Sequence, residues 1–247
     1  MKSFGLSVVG SSGVNGDRYY ISADNKVLVV SDGASGAFDK VAAATICIDT
    51  IEANDYSKSG LRTDEYIAHC IKDANDKLID RSQLDGALSF GTITMAVIDG
   101  NRLYIGAVGD TPAFLIHENT ISKIIEPKKR YSDLIRFGVL TKEAIERAVS
   151  SLPNQMWSQF DNFLPMIIPD IAKEEHEFAD GDIVIICTDG ISDWIENNEF
   201  IGILRKTSSL EEGCHNILSL VNERCPLNKR DDMTIVAAGL RGHHHTI

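Results

Sequence analysis

Apolar and polar positions along this chain alternate in two rhythms. Arg18-Tyr19-Tyr20-Ile21 and Lys26-Val27-Leu28-Val29-Val30 are rich in β-branched and aromatic residues, and the turn-forming Asp24-Asn25 between them predicts a hairpin. Past Phe38 the spacing becomes helical. Val41, Ala44, Ile48 and Ile51 share one face, and after a Thr63-Asp64 start Ile67, Cys70 or Ile71, Ala74 and Leu78 do so again. Strand patterns return at Thr92 to Ile98 and Arg102 to Val108, joined by Asp99-Gly100-Asn101, then at Ala113 to Ile116 and Ile121 to Ile125. Together these predict an antiparallel meander of consecutive hairpins.

Thr141 to Val149 has a helical composition, whereas Pro153, Pro165 and Pro169 break up the next stretch of chain, so 127–180 is expected to hold an irregular, flap-like insertion. Ile183 to Cys187 reads as a buried strand, Leu210, Cys214, Ile217 or Leu218 and Val221 as a helix, and Thr234 to Ala238 as a closing strand. Strands grouped as hairpins, with helices grouped between them, argue for an α+β layered domain with two sheets and helices outside. No repeat or linker divides the chain, so residues 1–247 are expected to form a single domain.

Composition narrows the function classes. With 24 Lys+Arg against 36 Asp+Glu the net charge is −12, which repels nucleic acid and anionic membranes. Lys128-Lys129-Arg130 is too short a run to reverse that. The longest unbroken apolar run, Ile183 to Cys187, is far below the roughly 20 residues needed to cross a bilayer. Met1 to Ser7 has no extended apolar region, so a cytoplasmic protein is expected. Cysteines 47, 70, 187, 214 and 225 form an odd set without a CxxC pair and read as reduced core thiols. His243 to His245 are a tag remnant or a native tail and carry no argument.

Two distant segments look alike: Val27-Leu28-Val29-Val30-Ser31-Asp32-Gly33-Ala34-Ser35 and Val184-Ile185-Ile186-Cys187-Thr188-Asp189-Gly190-Ile191-Ser192. Each runs an apolar strand into a hydroxyl residue, an aspartate and a glycine. A single Asp-Gly is more often a hairpin turn. Two with matched flanks, each continued by helix signals, instead suggest carboxylates held on rigid supports with room for close approach. Asp17 after Asn15-Gly16, Asp110 in Ala107-Val108-Gly109-Asp110, and Asp231-Asp232 before the last strand occupy similar places. Carboxylates gathered at strand ends repel one another unless a cation neutralises them. Oxygen ligands without histidine or thiol partners favour Mg2+ or Mn2+ over zinc.

Asn15-Gly16-Asp17, Val30 to Gly36, Val108-Gly109-Asp110-Thr111, Gly181-Asp182 through Thr188 to Asp193, and Asp231-Asp232-Met233-Thr234 occur in the order and rough spacing of the metal-dependent type 2C protein phosphatases. Across nearly its whole length the chain resembles that family in its compact bacterial form. The resemblance implies a four-layer α/β/β/α sandwich of two antiparallel sheets flanked by helices, with two Mn2+ or Mg2+ ions in a cleft at one end. It implies that Asp32 bridges the metals, that the Gly33 carbonyl binds one, and that Asp189 and Asp231 complete the other. Asp17 would accept a hydrogen bond from metal-bound water, and Asp110 and Asp193 match positions that hold a third metal in some members. The implied reaction is attack of that water on phosphoserine or phosphothreonine. The implied partner is a phosphorylated protein, a serine/threonine kinase or its target.

Two departures stand out. The acidic or amide residue usual before the first aspartate is Gly16, and the family's phosphate-gripping arginine aligns with Ser12. Phosphate would then be held by the metals or by a basic residue from elsewhere, for which Arg18 is the candidate. These losses favour an alternative class, a pseudophosphatase that binds a phosphoprotein without turnover; the retained Asp189 and Asp231, costly near Asp32 without a cation, speak against it. Other chemistries lack their equipment. Cys225 and Arg230 have four residues between them where a cysteine phosphatase needs five, and neither a G-x-S-x-G elbow nor a phosphate-binding P-loop occurs. Asp180-Gly181-Asp182-Ile183-Val184 has the letters of an aspartyl-phosphatase motif, but its aspartates precede the strand.

Overall fold

The computed structural model describes residues 1–33, 39–85, 91–125 and 171–240. In chain order the strands are β1 (Lys2–Val8), β2 (Arg18–Ile21), β3 (Val27–Ser31), β4 (Ile93–Asp99) and β5 (Arg102–Val108), then β6 (Ala113–His117), β7 (Thr120–Ile125), β8 (Ala172–Glu177), β9 (Ile183–Cys187) and β10 (Met233–Gly239). The helices are α1 (Lys40–Ala53), α2 (Tyr56–Ser59), α3 (Thr63–Asp85), α4 (Asp189–Ser192), α5 (Asn197–Leu204) and α6 (Leu210–Arg224). One sheet runs β1-β10-β9-β6-β7 and the other β2-β3-β4-β5-β8, and every pairing is antiparallel.

The side-chain period of two in a strand explains the layering. In β3, Leu28 and Val30 face the other sheet, while Val27 and Val29 face α1 and α3. In β9 and β10, Val184, Ile186, Val236 and Ala238 join that inter-sheet core, while Ile183, Ile185, Cys187, Ile235 and Ala237 pack under α5 and α6. Strands buried on both faces therefore read as unbroken apolar runs, and the result is the expected α/β/β/α sandwich. Asp39 caps α1 by accepting from the Ala42 amide, and Ser209 caps α6 by accepting from Glu212. All five cysteines are free and buried. Among the described residues no helix is long and apolar enough to cross a membrane.

The meander needs correction. β4 pairs with β5 and β6 with β7, but β5 and β6 lie in different sheets. Gly109, at φ +99°, Asp110 and Pro112 carry the chain across the sandwich, and β8 takes the edge of β5. The irregular stretch is also shorter than its expected limit, since 172–177 form β8. The sequence pattern missed β1, β8, α2 and α5. Ala34 to Gly36, Lys128 to Arg130, the helix expected over Thr141 to Val149, Pro153, Pro165, Pro169 and the histidine tail lie outside the described residues.

Candidate active site

β3 delivers Asp32 to the end of its sheet, and β4 clasps it there. The Ser31 hydroxyl donates to the Thr92 carbonyl at 2.7 Å, the Asp32 amide donates to Thr92 Oγ1 at 3.0 Å, and the Thr92 amide donates to the Asp32 carbonyl at 2.7 Å. Thr92 is fixed in turn by Thr111, their hydroxyl oxygens being 2.6 Å apart. Gly33 comes next, its amide donating to the Gly16 carbonyl at 3.3 Å. A Cβ on Gly33 would run into the Lys40 carbonyl oxygen, and one on Gly91 would come 2.8 Å from the Asp32 carbonyl oxygen. Three backbone segments therefore converge where a side chain would prevent it.

In the opposite sheet β9 ends in Cys187, Thr188 leaves it, and α4 begins at Asp189. Thr188 Oγ1 accepts from the Thr234 amide at 3.0 Å and donates to Asp17 Oδ2 at 2.9 Å. The hydroxyl thereby joins β9 and β10 to the carboxylate that precedes β2. Gly190 is as confined as Gly33, since an added Cβ would strike the Asp232 carbonyl oxygen. Asp193 ends α4, its amide donating to the Asp189 carbonyl at 3.0 Å, so the two side chains stand one helical turn apart.

All six aspartates singled out by sequence fall within one another's fields. Burial, then the charges of Asp17, Asp189 and Asp231, push Asp32 well above the usual carboxylate range. Asp17, 1% exposed, is raised to about 6, first by burial and also by Asp232, against hydrogen bonds from Thr234 and Thr188 that lower it. Asp189 is raised to about 7 by burial and by Asp110, Asp231, Asp193 and Asp17. Asp193 is raised by burial, Asp110 and Asp231. A cluster of mutually destabilised carboxylates in a fold is a strong pointer to a functional site.

The donor set fits divalent cations by charge and chemistry. Asp17 Oδ1 and Asp189 Oδ1 are buried without a hydrogen-bond partner, a state that costs free energy unless something electropositive faces them. Every side-chain donor in the cluster is a hard carboxylate oxygen, which suits Mn2+ or Mg2+. Among the described residues no three histidine, cysteine, aspartate or glutamate side chains stand in a finished coordination cage. The residues that would hold ions are thus drawn together without being closed around them.

Sequence reasoning missed Thr92 and Lys40, and noted Asp232 only beside Asp231. Asp232, 4% exposed, accepts from the Gly10 amide through Oδ1 at 2.8 Å, and through Oδ2 from the Gly16 amide at 2.8 Å and Lys40 Nζ at 2.7 Å. Thr92 sits beside a strand whose apolar pattern hid it, and Lys40 gave no signal because its partner lies 192 positions away. Arg18, the candidate for gripping phosphate, is engaged otherwise: its Nη1 donates to the carbonyls of Asn15 at 3.0 Å and Asp17 at 2.6 Å. The Asp180-Gly181-Asp182 motif is a structural turn in which Asp182 bonds His117 Nδ1 and the Ala179 amide, both at 2.8 Å.

Comparison with known proteins places this geometry. Residues 163–241 match the family described as stage II sporulation protein E (SpoIIE). A putative 2C-type protein phosphatase of Streptococcus pyogenes is 23% identical over 241 residues, covering 92% of each chain. The serine/threonine phosphatase PstP/Ppp of Mycobacterium tuberculosis superposes with a TM-score of 0.76 at 19% identity, covering 97% of this chain and 98% of its own. The PstP catalytic domain, solved in complex with two manganese ions, superposes at 0.74 with 18% identity, covering 96% and 97% of the two chains. The chain thus has the fold of the bacterial 2C-type serine/threonine phosphatases and is similar to them over almost its entire length.

Proposed function

We propose that the protein is a metal-dependent phosphatase that hydrolyses phosphoserine or phosphothreonine in a protein substrate, acting in the cytoplasm. The observation that carries the reading is the carboxylate cluster with its two buried, unpartnered oxygens, set in a fold whose solved relative binds two manganese ions. Asp32, the Gly33 carbonyl, Asp189 and Asp231 would hold two Mn2+ or Mg2+ ions, with Asp110 and Asp193 available for a third. When bound, the ions acidify water and neutralise phosphoryl charge.

The chain's own residues do the rest. The two glycine-confined corners hold Asp32 and Asp189 at the ends of opposite sheets. Asp17 is anchored through Oδ2 by Thr188, so its unpartnered Oδ1 is the atom placed to orient the attacking water. As the water oxygen bonds to phosphorus, the bond to the serine or threonine oxygen breaks, giving inorganic phosphate and the free hydroxyl side chain. Hydrolysis of p-nitrophenyl phosphate and a phosphothreonine peptide tests the reading. Turnover should require Mn2+ or Mg2+, vanish with EDTA and vanish in Asp32→Ala and Asp189→Ala. A folded wild type that binds Mn2+ without turnover would establish the pseudophosphatase instead.

A further inference from the structure

The positions at which this chain departs from its relatives, Ser12 and Gly16, are filled by one side chain from elsewhere. Lys40 Nζ lies 3.3 Å from Ser12 Oγ, and the Lys40 stem runs through the space a Gly16 side chain would take, its Cδ 2.7 Å and its Cγ 3.0 Å from an added Cβ. Resting on the phosphatase reading, we propose that Lys40 grips the phosphoryl oxygens of the substrate, the task the resemblance gives to an arginine at the position of Ser12.

Local physics argues that Lys40 is not placed for helix stability. It is the first residue of α1, where the helix dipole disfavours a positive charge. Such a breach of a local rule is what functional sites tend to show. Its ion pair with Asp232 keeps it there, yet the lysine side chain remains 20% exposed. An ammonium has three N–H donors; Asp232 and Ser12 take two, and the third is available to a phosphoryl oxygen. Asp232 also raises Asp17 by its charge, which puts the ammonium at the border of the carboxylate cluster. A phosphate dianion approaching six aspartates is repelled by them, and is drawn in by bound cations and by this lysine. Gly16 then has a positive role, since any side chain there would displace the Lys40 stem.

The test compares wild type, Lys40→Met and Lys40→Arg as full-length chains saturated with Mg2+. It measures inorganic phosphate binding by calorimetry and KM and kcat for a phosphothreonine peptide, and separately Mn2+ binding to the metal-stripped chains by electron paramagnetic resonance. Losing one charge-assisted hydrogen bond should weaken phosphate binding and raise KM by about tenfold or more. Lys40→Arg should retain both within about threefold, and Mn2+ binding should change by less than about threefold. If Lys40→Met fails to fold, Lys40→Gln keeps an N–H for Asp232 while removing the charge and should show the same weakening. Unchanged phosphate binding and KM in a folded variant would overturn the proposal and leave Lys40 as a clasp between α1 and the 10–16 loop, without touching the phosphatase reading. Lys40-dependent phosphate binding in a wild type that never turns over would overturn the phosphatase reading and support the grip. A wild type that neither turns over nor binds phosphate overturns both.

Discussion

The Asp32 and Asp189 corners begin from nearly the same residues and end with different neighbours. In both, a fully buried strand runs into a buried hydroxyl, an aspartate and a glycine with no room for a Cβ. In both, the hydroxyl bonds across to a neighbouring strand instead of facing the site as a nucleophile. Beside the Asp32 corner Gly33 packs on the Lys40 carbonyl and the Lys40 ammonium reaches Asp232, but the charges that act on Asp32 itself are those of Asp17, Asp189 and Asp231. The charges that act on Asp189 are those of Asp110, Asp231, Asp193 and Asp17, all acidic. A repeated sequence thus builds a repeated scaffold, while residues remote in sequence decide what stands beside each corner.

The sharpest way to break the comparison is to remove each carboxylate. Asp32→Asn and Asp189→Asn should each reduce kcat about a thousandfold, roughly 4 kcal/mol of barrier. The metal-free proteins should nevertheless melt at least as high as wild type, because a destabilised carboxylate has been replaced by a neutral amide. Thermal melts in EDTA beside assays in Mn2+ would show both effects. An Asp189→Asn variant that melts well below wild type would mean that this carboxylate is satisfied in the folded chain.

Next in size are the glycines. Gly33→Ala and Gly190→Ala each drive a methyl group into a backbone carbonyl, of Lys40 and of Asp232 respectively, and neither carbonyl can rotate away as a side chain can. Each should cost about 3 kcal/mol, or about 10 °C in melting temperature. Both should in addition weaken phosphate binding, because relief of the first clash moves the start of α1 that carries Lys40 and relief of the second moves Asp232, which holds its ammonium. Phosphate affinity unchanged in both variants would contradict the placement of Lys40 at the phosphate.

The pH dependence of the metal-free protein gives a smaller effect with a definite sign. Asp17 and Asp189 rise from an ordinary 3.8 to about 6 and about 7 on folding. Between 3.8 and those values the folded state binds more protons than the unfolded state, so these groups' contribution to stability is fully present below 3.8 and lost as pH rises to about 7. In EDTA the melting temperature should therefore fall by on the order of 5 °C between about pH 4.5 and about pH 7.5 from this source. Saturating Mn2+ should reverse the trend near neutrality, since cations favour the ionised carboxylates. A metal-free protein whose stability climbs through the same interval would contradict the electrostatic account of the cluster.

These contrasts reflect how the sequence encodes the molecule. β3, β9 and β10 were legible because burial on both faces leaves unbroken apolar runs, and α1, α3 and α6 because their buried residues recur at helical spacing. β8 was not, since Ala172–Glu177 is almost wholly polar and is held as an edge strand by its ladder to β5 and by Arg102 and Glu175 at 3.2 Å. β1 carries a readable alternation, with Phe4, Leu6 and Val8 packed beneath α6, but Gly5 and partial burial weaken it. The site divides along the same line. The carboxylates announce themselves as local Asp-Gly patterns, whereas the Lys40–Asp232 pair exists only once both ends of the chain have been brought together.

The two hydroxyls provide the finest test of the comparison. Ser31 and Thr188 stand at equivalent places, yet Ser31 donates to a backbone carbonyl while Thr188 donates to the Asp17 carboxylate. Ser31→Ala should remove about 1 kcal/mol of stability, leave kcat within about twofold and leave the pH profile in place. Thr188→Val keeps the shape but withdraws the donor that holds Asp17 down and the acceptor for the Thr234 amide, at a cost of about 2 kcal/mol. Because Asp17 then needs a higher pH to ionise, the acid limb of the pH–rate profile should move upward, and kcat near about pH 6 should fall more than kcat near about pH 8. Urea titrations separate the stability losses, and pH–rate profiles in Mn2+ separate the functional ones. A parallel shift of the acid limb in both variants would show that the hydroxyls act through the sandwich as a whole, whereas a shift confined to Thr188→Val assigns the effect to its contact with Asp17.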